Sequence, residues 1–155
     1  MPMRLGSFEM PKRLVKDEAS ATPTYGRYIA EPLEAGYGRT LGNSLRRVLL
    51  SSLEGTAISA VRIEKAPHEF CAIPGVVEDV TDIILNLKKV LLKSHTRETH
   101  TLTLKKKGPG EVRAGDFVTD GKVDVLNPDL LIATLAEDGM LNLEAEARVG
   151  RGFCP

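Results

Sequence analysis

Apolar positions recur at helical spacing in one stretch above all, Gly36 to Leu53, read GYGRTLGNSLRRVLLSSL. Leu41, Leu45, Val48, Leu49 and Leu53 fall on one face, which the spacing predicts is a core-facing helix. Thr40 stands where an N-cap would accept from a first-turn amide, and Gly55 is suited to a left-handed C-terminal residue. The opposite face collects Arg39, Asn43, Arg46, Arg47 and Leu50 when residues are placed at about 100° per step. An ordinary solvated face carries Lys and Glu; arginines around an unclaimed leucine have the composition of a protein–protein contact. The plainer reading is a solvated basic face with one stray leucine, since single exposed apolar residues are common.

A second helical stripe runs from Val77 to Leu92, with Val80, Ile83, Ile84, Leu87 and Leu91 in register. Glu78, Asp79 and Asp82 at its start and Lys88 and Lys89 at its end suit the helix dipole. Elsewhere the pattern is strand-like. Leu5 to Met10, Tyr25 to Leu33, Ala57 to Glu64 and Thr99 to Leu104 are strand candidates, with a loop from Lys16 to Thr24. Asp116–Val118 and Lys122–Val125 flank Asp120–Gly121, a hairpin signal, while Lys105–Lys107 with Gly108–Pro109–Gly110 read as a turn. Leu130 to Ala136 and Met140 to Val149 are further strands, the second placing Leu141, Leu143, Ala145, Ala147 and Val149 on one face; a turn-like GRGFCP tail ends the sequence. Two main helices and several mostly antiparallel strands, without regular βαβ alternation, define an α+β chain.

Composition narrows the function. The 155 residues are 42% hydrophobic and 27% charged, with Lys+Arg equal to Asp+Glu at 21 each. A zero formal charge argues against a free-standing nucleic-acid binder on Lys105 to Lys107 and the helix arginines. Cys71 and Cys154 fit no metal or redox spacing, and a reducing, cytoplasmic setting is expected. No apolar run is long enough to span a membrane, and the N-terminus lacks a signal-peptide core. His68 and Glu69 have no third ligand at metal spacing, so no metal and no cofactor are expected. A dinucleotide-binding enzyme on Gly36–Gly42 is the alternative; its fingerprint wants a small residue at 41, where Leu41 stands. No nucleophile–base set can be assembled, so the residues alone describe a non-catalytic scaffold with an arginine-rich contact helix.

EPLEAGYGRTLGNSLRRVLLSS, Glu31 to Ser52, resembles the start of the N-terminal domain of the bacterial DNA-directed RNA polymerase α subunit. HEFCAIPGVVEDVTDIILNLKKV, His68 to Val90, and the closing VGRGF are similar to further blocks of that family. The resemblance implies an assembly platform in transcription. Two α copies pair, one docking the β subunit and the other β′, while nucleotidyltransferase chemistry belongs to the large subunits. It places β contacts at Arg47, with Arg39, Asn43, Arg46 and Leu50 beside it, and at His68, Glu69 and Phe70. Leu41, Leu45, Val48 and Leu49 become the dimer-facing or core face. It also implies that 1–54 is the first segment of a discontinuous dimerisation subdomain and 55–155 an inserted α+β subdomain. Family chains continue beyond the GRG(Y/F) stretch, so a C-terminally truncated fragment is expected, lacking the DNA-binding C-terminal domain and weakened in pairing.

Overall fold

The computed structural model describes residues 8–153. The chain divides into two compact units, 1–51 and 52–155. The expected strand at Leu5 to Met10 lies partly outside the described residues, and its described part is not a strand.

In the first unit, β1 (Val15–Lys16) pairs antiparallel with β2 (Tyr28–Ile29), so the predicted loop begins after a short strand and the predicted strand at Tyr25 contracts to its middle. Asp17 turns the chain between them by accepting the Ser20 hydroxyl at 2.9 Å and the Ala19 N–H at 3.2 Å. The unit's helix, α1 (Tyr37–Ser51), starts before Thr40. Thr40 is therefore inside the helix and not its cap. The entry is made by backbone: Gly36 takes φ 84°, a value that favours glycine, and Tyr37 N–H donates to Glu34 C=O at 3.0 Å. Phe8 meets the Tyr37 ring edge-on at 4.9 Å.

The second unit is a five-stranded antiparallel sheet in the order β5 (His100–Lys107), β9 (Met140–Arg151), β3 (Glu54–Ile63), β4 (Leu92–Ser94), β7 (Val123–Val125), with a smaller two-stranded sheet of β6 (Gly110–Arg113) and β8 (Leu131–Leu135). β3 (Glu54–Ile63) begins at the residues expected to stop α1, and Gly55 is extended strand paired with Gly150. β3 pairs with β9 (Met140–Arg151) along its length, with a bulge between Ile58 and Ala60. β4 (Leu92–Ser94) pairs β3 and β7 (Val123–Val125). β5 (His100–Lys107) continues through all three lysines, which are strand residues and not a turn. β6 (Gly110–Arg113) pairs β8 (Leu131–Leu135).

The hairpin expected around Asp120–Gly121 does not form. The turn is there, with Gly121 at φ 78° and Asp120 Oδ1 accepting the Lys122 N–H at 2.9 Å. Its arms diverge, because Val118 bridges Thr103 on β5 whereas β7 pairs with β4. Ala114–Asp116 is a 3-10 turn in place of strand, closed by Asp116 accepting from Arg113 N–H at 2.7 Å and Lys106 Nζ at 2.6 Å.

The alternation along β9 sets the core. Leu141, Leu143, Ala145 and Ala147 are buried, and Asn142, Glu144, Glu146 and Arg148 take the other face. Leu102 and Leu104 of β5 and Ile132, Ala133 and Leu135 of β8 join the same core. The second helix, α2 (Val80–Leu87), seats Val80, Ile83 and Leu87 in it. α2 is shorter than predicted at both ends. Asp79 caps it by accepting the Asp82 N–H at 2.7 Å, and Leu91, left outside the helix, is exposed. The expected apolar tail of the stripe at Leu91–Leu92 belongs to the turn and to β4.

Candidate functional site

Two exposed groups of residues stand apart from this core, one in each unit. In the first, no residue of α1 is buried. Arg39, Asn43, Arg46, Arg47 and Leu50 lie exposed along one face, and none of the three arginines has an ion-pair partner among the described residues. Leu50 is 63% exposed. The opposite face is open as well: Leu45, Val48 and Leu49 are all more than half exposed, and only Leu41 is half-buried. A helix of this length in water is marginal by propensity alone, and helices in proteins draw most of their stability from packing an apolar face. An uncovered leucine–valine stripe opposite an arginine face is thus a surface in want of a cover.

In the second unit, His68, Glu69 and Phe70 form an exposed turn between β3 and α2. Phe70 is 77% exposed, an unusual position for a phenylalanine. The turn is fixed through its carbonyls. Cys71 donates its thiol to His68 C=O at 2.9 Å, and Thr81 of α2 donates its hydroxyl to Glu69 C=O at 2.8 Å. Val80 N–H donates to Cys71 C=O at 3.1 Å, and the buried Ile73 anchors the chain as it leaves the turn. Glu78 then accepts the Thr134 N–H at 2.6 Å and its hydroxyl at 3.0 Å, pinning the segment to β8. The phenyl ring is therefore presented on a rigid support.

The remaining candidates scatter. No group of three metal-ligating His, Cys, Asp or Glu side chains exists among the described residues. Of the lysine run, Lys106 is paired with Asp116, and Lys105 and Lys107 lie exposed on β5. No helix among the described residues is long and apolar enough to cross a membrane.

Sequence reasoning missed one charged cluster. Glu54, the first residue of β3, accepts from Arg151 at 2.6 Å and Arg97 at 3.2 Å, and the Arg151 hydrogen bond foremost holds its carboxyl below the usual range. The β3–β9 register sets Glu54 opposite Arg151, and Arg97 reaches them from the loop between β4 and β5, so no local sequence signal points to the three.

The 52–155 unit is thus an α+β unit with an exposed aromatic turn before α2. The chain belongs to the RNA polymerase Rpb3/RpoA insert domain family, whose model matches residues 61–155. It is 56% identical over 145 residues to the DNA-directed RNA polymerase subunit alpha of Geobacter metallireducens, covering 94% of this chain and 43% of that protein. The corresponding subunit of Desulfitobacterium hafniense strain DCB-2 is 58% identical over 130 residues, 84% of this chain and 41% of its own length. That of Desulfovibrio desulfuricans is 50% identical over 145 residues, 94% of this chain and 42% of its own. The chain thus spans about two-fifths of the length of the curated relatives it matches.

Proposed function

We propose that the chain serves as a non-catalytic assembly module of DNA-directed RNA polymerase in the cytoplasm. In this reading Arg39, Asn43, Arg46, Arg47 and Leu50 dock the β subunit, and the His68–Glu69–Phe70 turn supplies a second contact. The uncovered stripe of Leu41, Leu45, Val48 and Leu49 receives a second copy of the chain, and the other copy of the pair meets β′. The observation that carries the proposal is that α1 buries none of its residues, so both its faces are free for partners. Arginine and leucine together suit that role. The guanidinium offers bidentate hydrogen bonds to carboxylates, and the leucine supplies apolar area at the centre.

The test is Arg47→Ala in the full chain, with β-subunit capture and far-ultraviolet circular dichroism read on the same preparation. Arg47 touches no core, so capture should fall at least about tenfold, as for an interface residue costing more than about 1.4 kcal/mol, with helical signal unchanged. Undiminished capture, or loss of capture only in step with loss of helix, would contradict the docking role.

A further inference from the structure

A hydroxyl, an imidazole and a carboxylate stand in line at one end of the five-stranded sheet. Thr96, half-buried in the β4–β5 loop, has its Oγ1 2.6 Å from His100 Nε2. His100 opens β5 and is only 3% exposed. Its Nδ1 lies 2.8 Å from Asp120 Oδ2.

The partners decide where the protons sit. The Lys122 N–H, and after it His100, hold the Asp120 carboxyl below the usual range, so it is ionised at neutral pH and can only accept. The hydrogen between Asp120 and His100 therefore belongs to Nδ1. A neutral imidazole in that tautomer turns its lone pair at Nε2 toward Thr96, whose hydroxyl supplies the hydrogen of the second bond. The threonine is itself held: its N–H donates to Ser94 Oγ at 3.3 Å, and its C=O accepts from the Ser94 hydroxyl at 2.7 Å.

The neighbouring polar side chains already have partners. Lys122 lies 3.8 Å from Glu98, His95 pairs with Asp124 at 2.8 Å, and Arg97 with Glu54. Across the sheet His100 faces Ala147, which is apolar. Hydroxyl, base and orienting carboxylate thus meet the geometric requirement for an activated nucleophile.

We propose that Thr96 is a general-base-activated hydroxyl, a modification site that takes an acyl group from an activated ester. Oγ1 bonds to the ester carbonyl carbon while its proton passes to Nε2. The tetrahedral adduct collapses, the bond to the leaving oxygen breaks with its electron pair, and the imidazolium returns the proton to that oxygen. The product is a Thr96 ester and a free alcohol or phenol, with no change of oxidation state. This site owes nothing to the docking role of α1.

The probe is p-nitrophenyl acetate on the full chain at about pH 8, read by peptide mass spectrometry with hydroxylamine to separate esters from lysine amides. A positioned general base contributes roughly 10²–10⁴-fold, so Thr96 should be esterified at least about tenfold faster than Thr101, an exposed hydroxyl on β5. Thr96→Val should remove the label, and Asp120→Asn should cut it about tenfold or more in a chain with unchanged circular dichroism. The wild-type comparison of Thr96 with Thr101 stands even if a variant fails to fold. Labelling of Thr96 no faster than Thr101, or undiminished in folded Asp120→Asn, would overturn the proposal and leave a structural hydrogen bond only.

Discussion

At the scale of single residues, small side chains carry as much as large ones. Gly75, at φ 79°, and Gly139 meet backbone to backbone: a Cβ on Gly75 would stand 2.6 Å from Gly139 Cα, and one on Gly139 would collide with Gly75 C=O. The contact locks the turn before α2 to the turn before β9, with Ala136 N–H donating to Gly75 C=O at 2.9 Å. Gly139→Ala must push one backbone off the other, and chemical denaturation should show a loss of about 1–3 kcal/mol. No change would mean that the two turns part without cost. Carboxylates make a second prediction. Glu54 is held low chiefly by Arg151 and Asp120 chiefly by the Lys122 N–H. In Asp116 burial pushes upward but the Arg113 N–H and Lys106 outweigh it. Folded values below unfolded ones add stability above the unfolded pKa, and that stability is lost as pH falls through the folded values. The melting temperature should therefore drop below about pH 4, and less steeply in Asp116→Asn. Equal slopes would show that Asp116 contributes nothing to acid unfolding. Asp120 was visible in the sequence as a turn former and Gly139 only as part of the gap between two strands, yet what they touch was not. Those partners lie on distant segments, and local spacing carries no record of them.

At the scale of elements, alternation was the reliable signal. Leu141, Leu143, Ala145 and Ala147 were legible as one face of a strand, and all are buried. Val80, Ile83 and Leu87 were legible as a helix stripe for the same reason. Element ends were less legible, because they are set by partners. The strand pairing of Glu54 and Gly55 with Arg151 and Gly150 draws β3 back into the expected helix stop. Likewise the pairing of Lys105–Lys107 with Asn142, Leu141 and Met140 draws β5 through a run that composition marks as a turn. The packing of α2 on the sheets is the element-level contact that can be weighed. Ile83 is wholly buried, and Ile83→Ala should cost about 2–5 kcal/mol in denaturant unfolding. A cost under about 1 kcal/mol would mean that α2 is not a core element.

At the scale of the whole chain, the two units differ in kind. Among the described residues, the 52–155 unit contains the whole buried hydrophobic core, whereas the first unit exposes α1 on both faces. The candidate contact helix stands out in the sequence because its polar face is written in arginines, and none of them has an ion-pair partner among the described residues. The second contact proposed, at His68–Phe70, comes only through resemblance, since a His–Glu–Phe run has no spacing that marks it as an interface. The most direct test of the assembly role is light scattering on a sizing column, with the full chain alone and mixed with an RNA polymerase β subunit. The predicted result is a folded species that co-elutes with β, at a mass that includes two copies of the chain. A monomer that passes β without co-eluting would contradict that role, and the arginine face of α1 would then be an ordinary solvated surface.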